Sequence, residues 1–302
     1  MRQSDKFTIF IIFIIFFIAS CASPPKRETL KDKAVLLSQK AGERFKEGDF
    51  DKALELGFAS LDLNKRVDHL EGIATDFNNI GLIYYKKGDI EIAKRYFQEA
   101  NQIYSYLGHI SGMVTTLNHE GLVAMKEAKY REAEELFISA LNLAKNNKDK
   151  KGEAFSLNNY ALLLLKEGSL DEAFKYFDKA YILDKDMYEI LFYKGLIKEK
   201  QGSMNIAANF YKRALEIAKE DENSIFVAKC LDGLANLYFK KKDYKKAIFY
   251  QRRTLWVHQS LGFRDKVVKD LLKIAKIYQE KGEKKKAEEF FFKAKKVKRK
   301  LK

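Results

Sequence analysis

A six-residue pattern returns seven times along this chain at a nearly constant interval, and no other feature constrains the fold as much. It starts as Gly48-Asp-Phe-Asp-Lys-Ala53 and returns as Gly88-Asp-Ile-Glu-Ile-Ala93, Ala128-Lys-Tyr-Arg-Glu-Ala133 and Gly168-Ser-Leu-Asp-Glu-Ala173. Gly202-Ser-Met-Asn-Ile-Ala207, Lys242-Asp-Tyr-Lys-Lys-Ala247 and Gly282-Glu-Lys-Lys-Lys-Ala287 complete the series. The final alanines step by 40, 40, 40, 34, 40 and 40 residues. Two further columns keep the register. Seven residues before each turn stands Ala41, Gly81, Gly121, Ala161, Gly195, Ala235 or Ala275. Seven after each turn alanine stands Ser60, Ala100, Ala140, Ala180, Ala214, Thr254 or Ala294. All are small. Two helices joined by a tight turn pack at roughly 8–10 Å, and the short end of that range requires small side chains at closest approach.

Glycine at the turn ends the first helix in a left-handed conformation that other residues resist. The copies at Ala128 and Lys242 lack it, so less regular turns are expected there. Larger side chains fill the space between the helices: Tyr84, Tyr96, Phe97, Phe137, Phe177, Tyr211, Tyr238 and Phe291. One such hairpin cannot bury its apolar face alone, so the units must stack. The only prolines, Pro24 and Pro25, precede the whole series, and proline is the residue that breaks helices. The pattern predicts an all-α solenoid of about seven helix-turn-helix units.

The first twenty residues have a different purpose. Arg2 and Lys6 are followed by an almost wholly apolar run from Phe7 to Ile18 and then by Ala19-Ser20. Twelve residues fall short of the about 20 that a spanning helix needs. A basic start, a short apolar stretch and small residues make a secretory signal peptide, assigned to residues 1–20. Ile18-Ala-Ser-Cys21 resembles the lipobox of bacterial lipoproteins. That resemblance implies cleavage before Cys21, a diacylglycerol on its sulfur and an acyl group on its new amine. Two or more chains anchor stably where one does not. Residues 21–33 then read as lipidated cysteine and tether. Ala22, standing where aspartate holds many lipoproteins at the inner membrane, points to the outer membrane, facing the periplasm.

Residues 34–302 resemble the tetratricopeptide repeat (TPR). Ile80-Gly81-Leu-Ile-Tyr84, then Gly88-Asp89 through Ala93, Phe97 and Ala100, match its motif almost in full. The 40-residue step resembles the longer-helix subclass of kinesin light chains and bacterial Rap-type regulators, and Leu107-Gly108 and Leu261-Gly262 match that subclass. The resemblance implies a right-handed superhelix whose first helices line a concave groove that holds extended peptide.

Three columns face that expected groove. Asn78, Asn118 and Asn158 stand ten residues before the turn, and an amide offers donors and an acceptor to any peptide backbone. Asparagines at this place contact bound peptide in the longer-repeat subclass; they can equally bond a neighbouring hairpin. Lys46, Lys86, Lys126, Lys166, Lys200 and Lys240 stand two residues before the turn. Such a row suits an acidic peptide or a free carboxylate, or is simply a solvated helix end. Leu82, Tyr85, Leu122, Met125, Leu162 and Leu165 lie between these columns as an apolar floor.

The net charge of +15 is concentrated late in the chain: Lys293, Lys295, Lys296, Lys298, Arg299, Lys300 and Lys302 fill the last ten residues with no acid among them. This basic patch lies far from Cys21 in sequence and offers itself to an anionic surface or acidic protein, or is a solvated terminal helix. Phe290-Phe-Phe292 lies in the same final helix, and one ring is expected to stay exposed. His69, His109, His119 and His258 show no ligand spacing, and no nucleophile elbow, phosphate loop or paired-carboxylate signature is visible. No catalytic residue, metal, cofactor, small-molecule substrate or nucleic-acid partner is assigned, and Cys230 is expected to pack in a core. The leading reading is a lipid-anchored scaffold of the bacterial cell envelope that binds a protein or peptide. A sensory module for a short signalling peptide and a surface-displayed adhesion lipoprotein are the alternatives.

Overall fold

The computed structural model describes residues 29–299, which form fourteen helices with no strand among them. They pair as seven antiparallel hairpins. Unit 1 is α1 (Leu30–Glu47) and α2 (Phe50–Arg66), unit 2 is α3 (Leu70–Lys87) and α4 (Ile90–Leu107), and unit 3 is α5 (Ile110–Lys126) and α6 (Tyr130–Asn146). Unit 4 is α7 (Lys150–Glu167) and α8 (Leu170–Leu183), and unit 5 is α9 (Glu189–Lys200) and α10 (Met204–Glu220). Unit 6 is α11 (Ser224–Lys240) and α12 (Tyr244–Ser260), and unit 7 is α13 (Arg264–Glu280) and α14 (Lys284–Arg299). The array begins four residues ahead of the expected boundary at 34, because Thr29 and Asp32 form a reciprocal capping box at the start of α1. The signal segment, Cys21 and Lys300 lie outside the described residues.

The seven hairpin turns share one backbone conformation. Gly48, Gly88, Gly168, Gly202 and Gly282 have positive φ, and Ala128 (62°) and Lys242 (59°) adopt it too. The expectation of less regular turns at those two positions is thus corrected: packing of the flanking helices imposes the geometry, and the side chains bear the strain.

The small columns do what close packing asks of them. A methyl group built on Gly121 would lie 2.4 Å from the Phe137 ring, and one on Gly81 would lie 2.7 Å from Phe97. Phe97, Phe137, Phe177 and Tyr211 are almost wholly buried on these sites. Unit 6 places Gln251 where units 2 to 5 have the aromatic, and its amide donates to Asp270 Oδ1 (3.0 Å). Phe291 is a correction: it lies 41% exposed, whereas Phe290 is buried and stacks on Tyr278. No later described hairpin covers the outer side of α14, so Phe292 is exposed as well.

The 34-residue step shortens α8 to 14 residues and α9 to 12. The irregular link between them ends in Tyr188, which is buried. Successive first helices touch along the inner side: α1 on α3, α3 on α5, α5 on α7, and α9 on α11. The array also meets itself, since α1 touches α11.

Candidate functional site

Self-contact closes the curve into a ring. The turn of unit 1 lies against the loops that precede units 6 and 7. Lys46 Nζ reaches Asp221 Oδ1 at 2.8 Å, and Tyr188 Oη donates to the other oxygen of that carboxylate at 2.8 Å. The Phe50 and Phe263 rings stack with centroids 6.4 Å apart. Gly48 is required here on two grounds: its φ is +85°, and a Cβ would stand 2.5 Å from the Phe263 ring. The remote placement of the basic C-terminal units from the start of the array holds in sequence only, because units 6 and 7 abut unit 1.

Inside the closure lies a chamber of about 800 Å³. Its wall combines Phe45, Phe50, Ile225, Phe226 and Phe263 with Lys86, Lys229, Glu189 and Tyr193. These come from units 1, 2, 5, 6 and 7. Lys229 is held by its surroundings. Its ammonium donates to Tyr193 Oη at 2.9 Å and lies 4.3, 4.6 and 5.2 Å from the Tyr193, Phe192 and Phe226 ring centroids. Cation–π contact of this kind orders a side chain that would otherwise sample many rotamers. Lys86 reaches water in the lumen yet is ringed by protein. Its proton affinity is lowered by that desolvation, with repulsion from Lys229 and Lys126 adding to it and Glu189 opposing. Burial raises the Glu189 carboxyl above the usual range. Tyr85 is also raised, by burial and then by its proximity to Tyr193.

The expected groove columns divide. The asparagine ladder is a seam between hairpins, which corrects its reading as a row of free peptide contacts. Asn78 Oδ1 accepts from His119 Nδ1 (2.7 Å), and Asn118 Oδ1 accepts from Asn159 Nδ2 (3.1 Å). Asn118 Nδ2 also donates to Ser156 Oγ (2.8 Å). Asn78 and Asn118 are 8% and 0% exposed, so neither amide is presented to the lumen. The bonds from His119 and Asn159 each join residues 41 apart, one repeat plus one. At the 34-residue step Tyr193 occupies the corresponding place, and Asn158 ends the ladder: its Nδ2 bonds Asn159, and its Oδ1 is buried without a partner.

The lysine column divides as well. Lys46 pairs with Asp221 and Lys240 with Glu199. Lys86, Lys126 and Lys166 are exposed and, among the described residues, have no carboxylate within ion-pair distance. Leu82, Tyr85, Leu122 and Leu162 are half-buried, each packed on a core. Of the basic patch, Lys293 pairs with Glu289 (2.5 Å), while Lys295, Lys296, Lys298 and Arg299 are exposed on α14.

Glu189, Tyr193 and Lys229 are the residues that sequence reasoning missed. Glu189 and Lys229 stand thirteen residues before their turns, where earlier units have Val35, Thr75, Thr115 and Phe155. That column turns charged in units 5 and 6, and reading it would have found them. His119 is neutral and structural: burial, with Lys86 adding to it, holds its pKa down to about 3. Cys230 is buried as expected, and burial pushes its thiol up to about 12. No cluster of metal-ligating side chains occurs among the described residues, and no described helix is long and apolar enough to cross a membrane.

The tetratricopeptide repeat profile matches residues 112–185 and 186–260, and a second profile of the same name matches 77–107 and 271–301. The chain belongs to the tetratricopeptide repeat family. No curated protein matches it. Among solved structures, the TPR chain resembles the Rap conjugation gene regulator of plasmid pLS20 in complex with the Phr* peptide, at 17% identity and TM-score 0.69. That match covers 90% of this chain and 75% of the other. A Rap protein complexed with Competence and Sporulation Factor matches at 17% identity and TM-score 0.65, covering 89% and 76%. BtubC from P. vanneervenii matches at 20% identity and TM-score 0.61, covering 71% and 91%. At these identities the likeness is one of fold.

Proposed function

We propose that this TPR protein is an envelope-tethered scaffold that grips an extended segment of a protein partner inside its closed lumen. The observation that carries this is the convergence of Lys86, Glu189, Tyr193 and Lys229, from three separate units, on one chamber. Two of the fold neighbours are complexes with a peptide or signalling factor, which fits a lumen that holds a short extended chain. The signal segment and Ile18-Ala-Ser-Cys21 support a lipid anchor at Cys21 and an outer-membrane position facing the periplasm. The second reading, a sensor of a free signalling peptide, is favoured by the size of the chamber. A volume of about 800 Å³ lies within the range of small-ligand pockets and admits a segment, not a folded domain.

The test places a photo-crosslinking p-benzoylphenylalanine at Phe45, a half-buried aromatic of the chamber wall, in the full chain and irradiates intact cells that make it. A product heavier by a whole protein supports the scaffold, and one heavier by only a few residues supports the sensor. Absence of any lumen crosslink, with crosslinks from the same residue placed at exposed Trp256, would overturn the lumen as the binding site. Replacing Cys21 by serine tests the anchor separately: the protein should leave the membrane fraction.

A further inference from the structure

Some lysines around this ring have found acids. Lys46 holds Asp221, Lys87 holds Asp51, and Lys240 holds Glu199 at 2.7 Å. Lys86 and Lys229 have not, although they approach closely enough to repel each other. Glu189 offsets only part of their charge, because Arg264 and Lys266 line the same chamber and add to it, and the excess of cations suits an anionic ligand. Lys229 is moreover fixed by Tyr193 Oη and three aromatic rings, so an anion that binds it has little side-chain entropy to quench. We propose that the chamber is a receptor for an acidic peptide segment, with its carboxylates on Lys86 and Lys229 and its apolar side chains against Phe50, Phe226 and Phe263.

The remaining wall selects a peptide over other polyanions. Glu189 lines the chamber near the two lysines, and Asp265 shares the rest of the wall with Arg264 and Lys266. A polyphosphate or nucleic acid carries acceptors all along its backbone and would meet both carboxylates with like charge. A peptide presents backbone N–H donors between its acidic side chains, and Glu189 can accept from them. Five apolar or aromatic side chains in the wall would be wasted on a fully hydrated anion.

This inference rests on the lumen reading above but fails separately from it. The probe is a fluorescein-labelled decapeptide of alternating glutamate and leucine, with the lysine–leucine decapeptide as its counterpart, measured by fluorescence anisotropy on the full chain. Saturable binding of the acidic peptide alone is expected. Lys86→Met/Lys229→Met should weaken it at least tenfold, and Lys295→Met/Lys296→Met, which removes equal charge from α14, should change it less than twofold. Methionine keeps the apolar stem of Lys229 on its rings, and each single variant can be read on its own if the double does not fold. Equal loss in both pairs would make the effect one of net charge and overturn the proposal. Comparable binding of the lysine peptide, displacement by inorganic polyphosphate at matched charge, or absence of saturable binding would overturn it too. If the Phe45 crosslink captures a segment without acidic residues, the lumen reading stands and the acidic specificity falls.

Discussion

At His119 a column that carries asparagine in the units on either side, Asn79 and Asn159, holds an imidazole, packed 4.8 Å from the Phe97 ring and donating to Asn78. Its neutrality has a consequence for stability. In the unfolded chain it takes a proton near pH 6.5, whereas in the fold its pKa is about 3. Between those values the unfolded state binds more protons, so stability falls as pH drops below about 6.5 and is unaffected above it. The slope through this one residue is about 1.4 kcal/mol per pH unit. Urea titrations at pH 7, 6 and 5 should show a shallower loss for His119→Gln than for the parent chain, and identical slopes would reject the assignment. Residues were only half legible in the sequence. The column containing Asn78 and Asn118 was visible, but whether an amide faces a ligand or the next hairpin depends on a diagonal bond to residue i+41, which spacing alone does not show. Cys230 was legible, because its place on a buried face follows from the register.

Among the elements, the hairpin turns were almost fully legible, and so were the helices, because seven copies in one register reinforce each other. Turn strain was not. Ala128 and Lys242 stand in the left-handed region at φ 62° and 59°, at a cost of roughly 1–2 kcal/mol for a residue with a Cβ. Glycine there relieves that strain and returns part of the gain through a freer unfolded chain. Ala128→Gly and Lys242→Gly should therefore each raise stability by about 1 kcal/mol in chemical denaturation. Destabilisation by either would show the side chain to be doing something the geometry hides. The shortened link after α8 was visible as a missing six residues in the period. Its effect was not, since it takes three dimensions to see that it sets Tyr188 and Glu189 beside unit 6.

Closure is a property of the whole molecule, and no register analysis reaches it: Lys46 and Asp221 are 175 residues apart, while the repeat relates neighbours about 40 apart. The clasp is weak. Lys46 and Asp221 are 46% and 37% exposed, a pair worth about 0–1 kcal/mol, and the Phe50–Phe263 stack adds about 0.5–1.5 kcal/mol beyond the area it buries. A gap of a few kcal/mol leaves about 0.1–10% of molecules open, enough for a segment to enter. Spin labels at Glu55 and Lys269 can report it, and buried Cys230 will not compete for them. Phe263→Ala should shift the inter-label distances longer and broaden them while helicity stays constant; an unchanged distribution would mean the stack is no latch. An open solenoid is a spring whose coils answer only to their neighbours. Joined at the clasp, this one is a split washer: prying at the split loads every hairpin around the rim, so a segment seated in the bore can be felt at α14 without touching it.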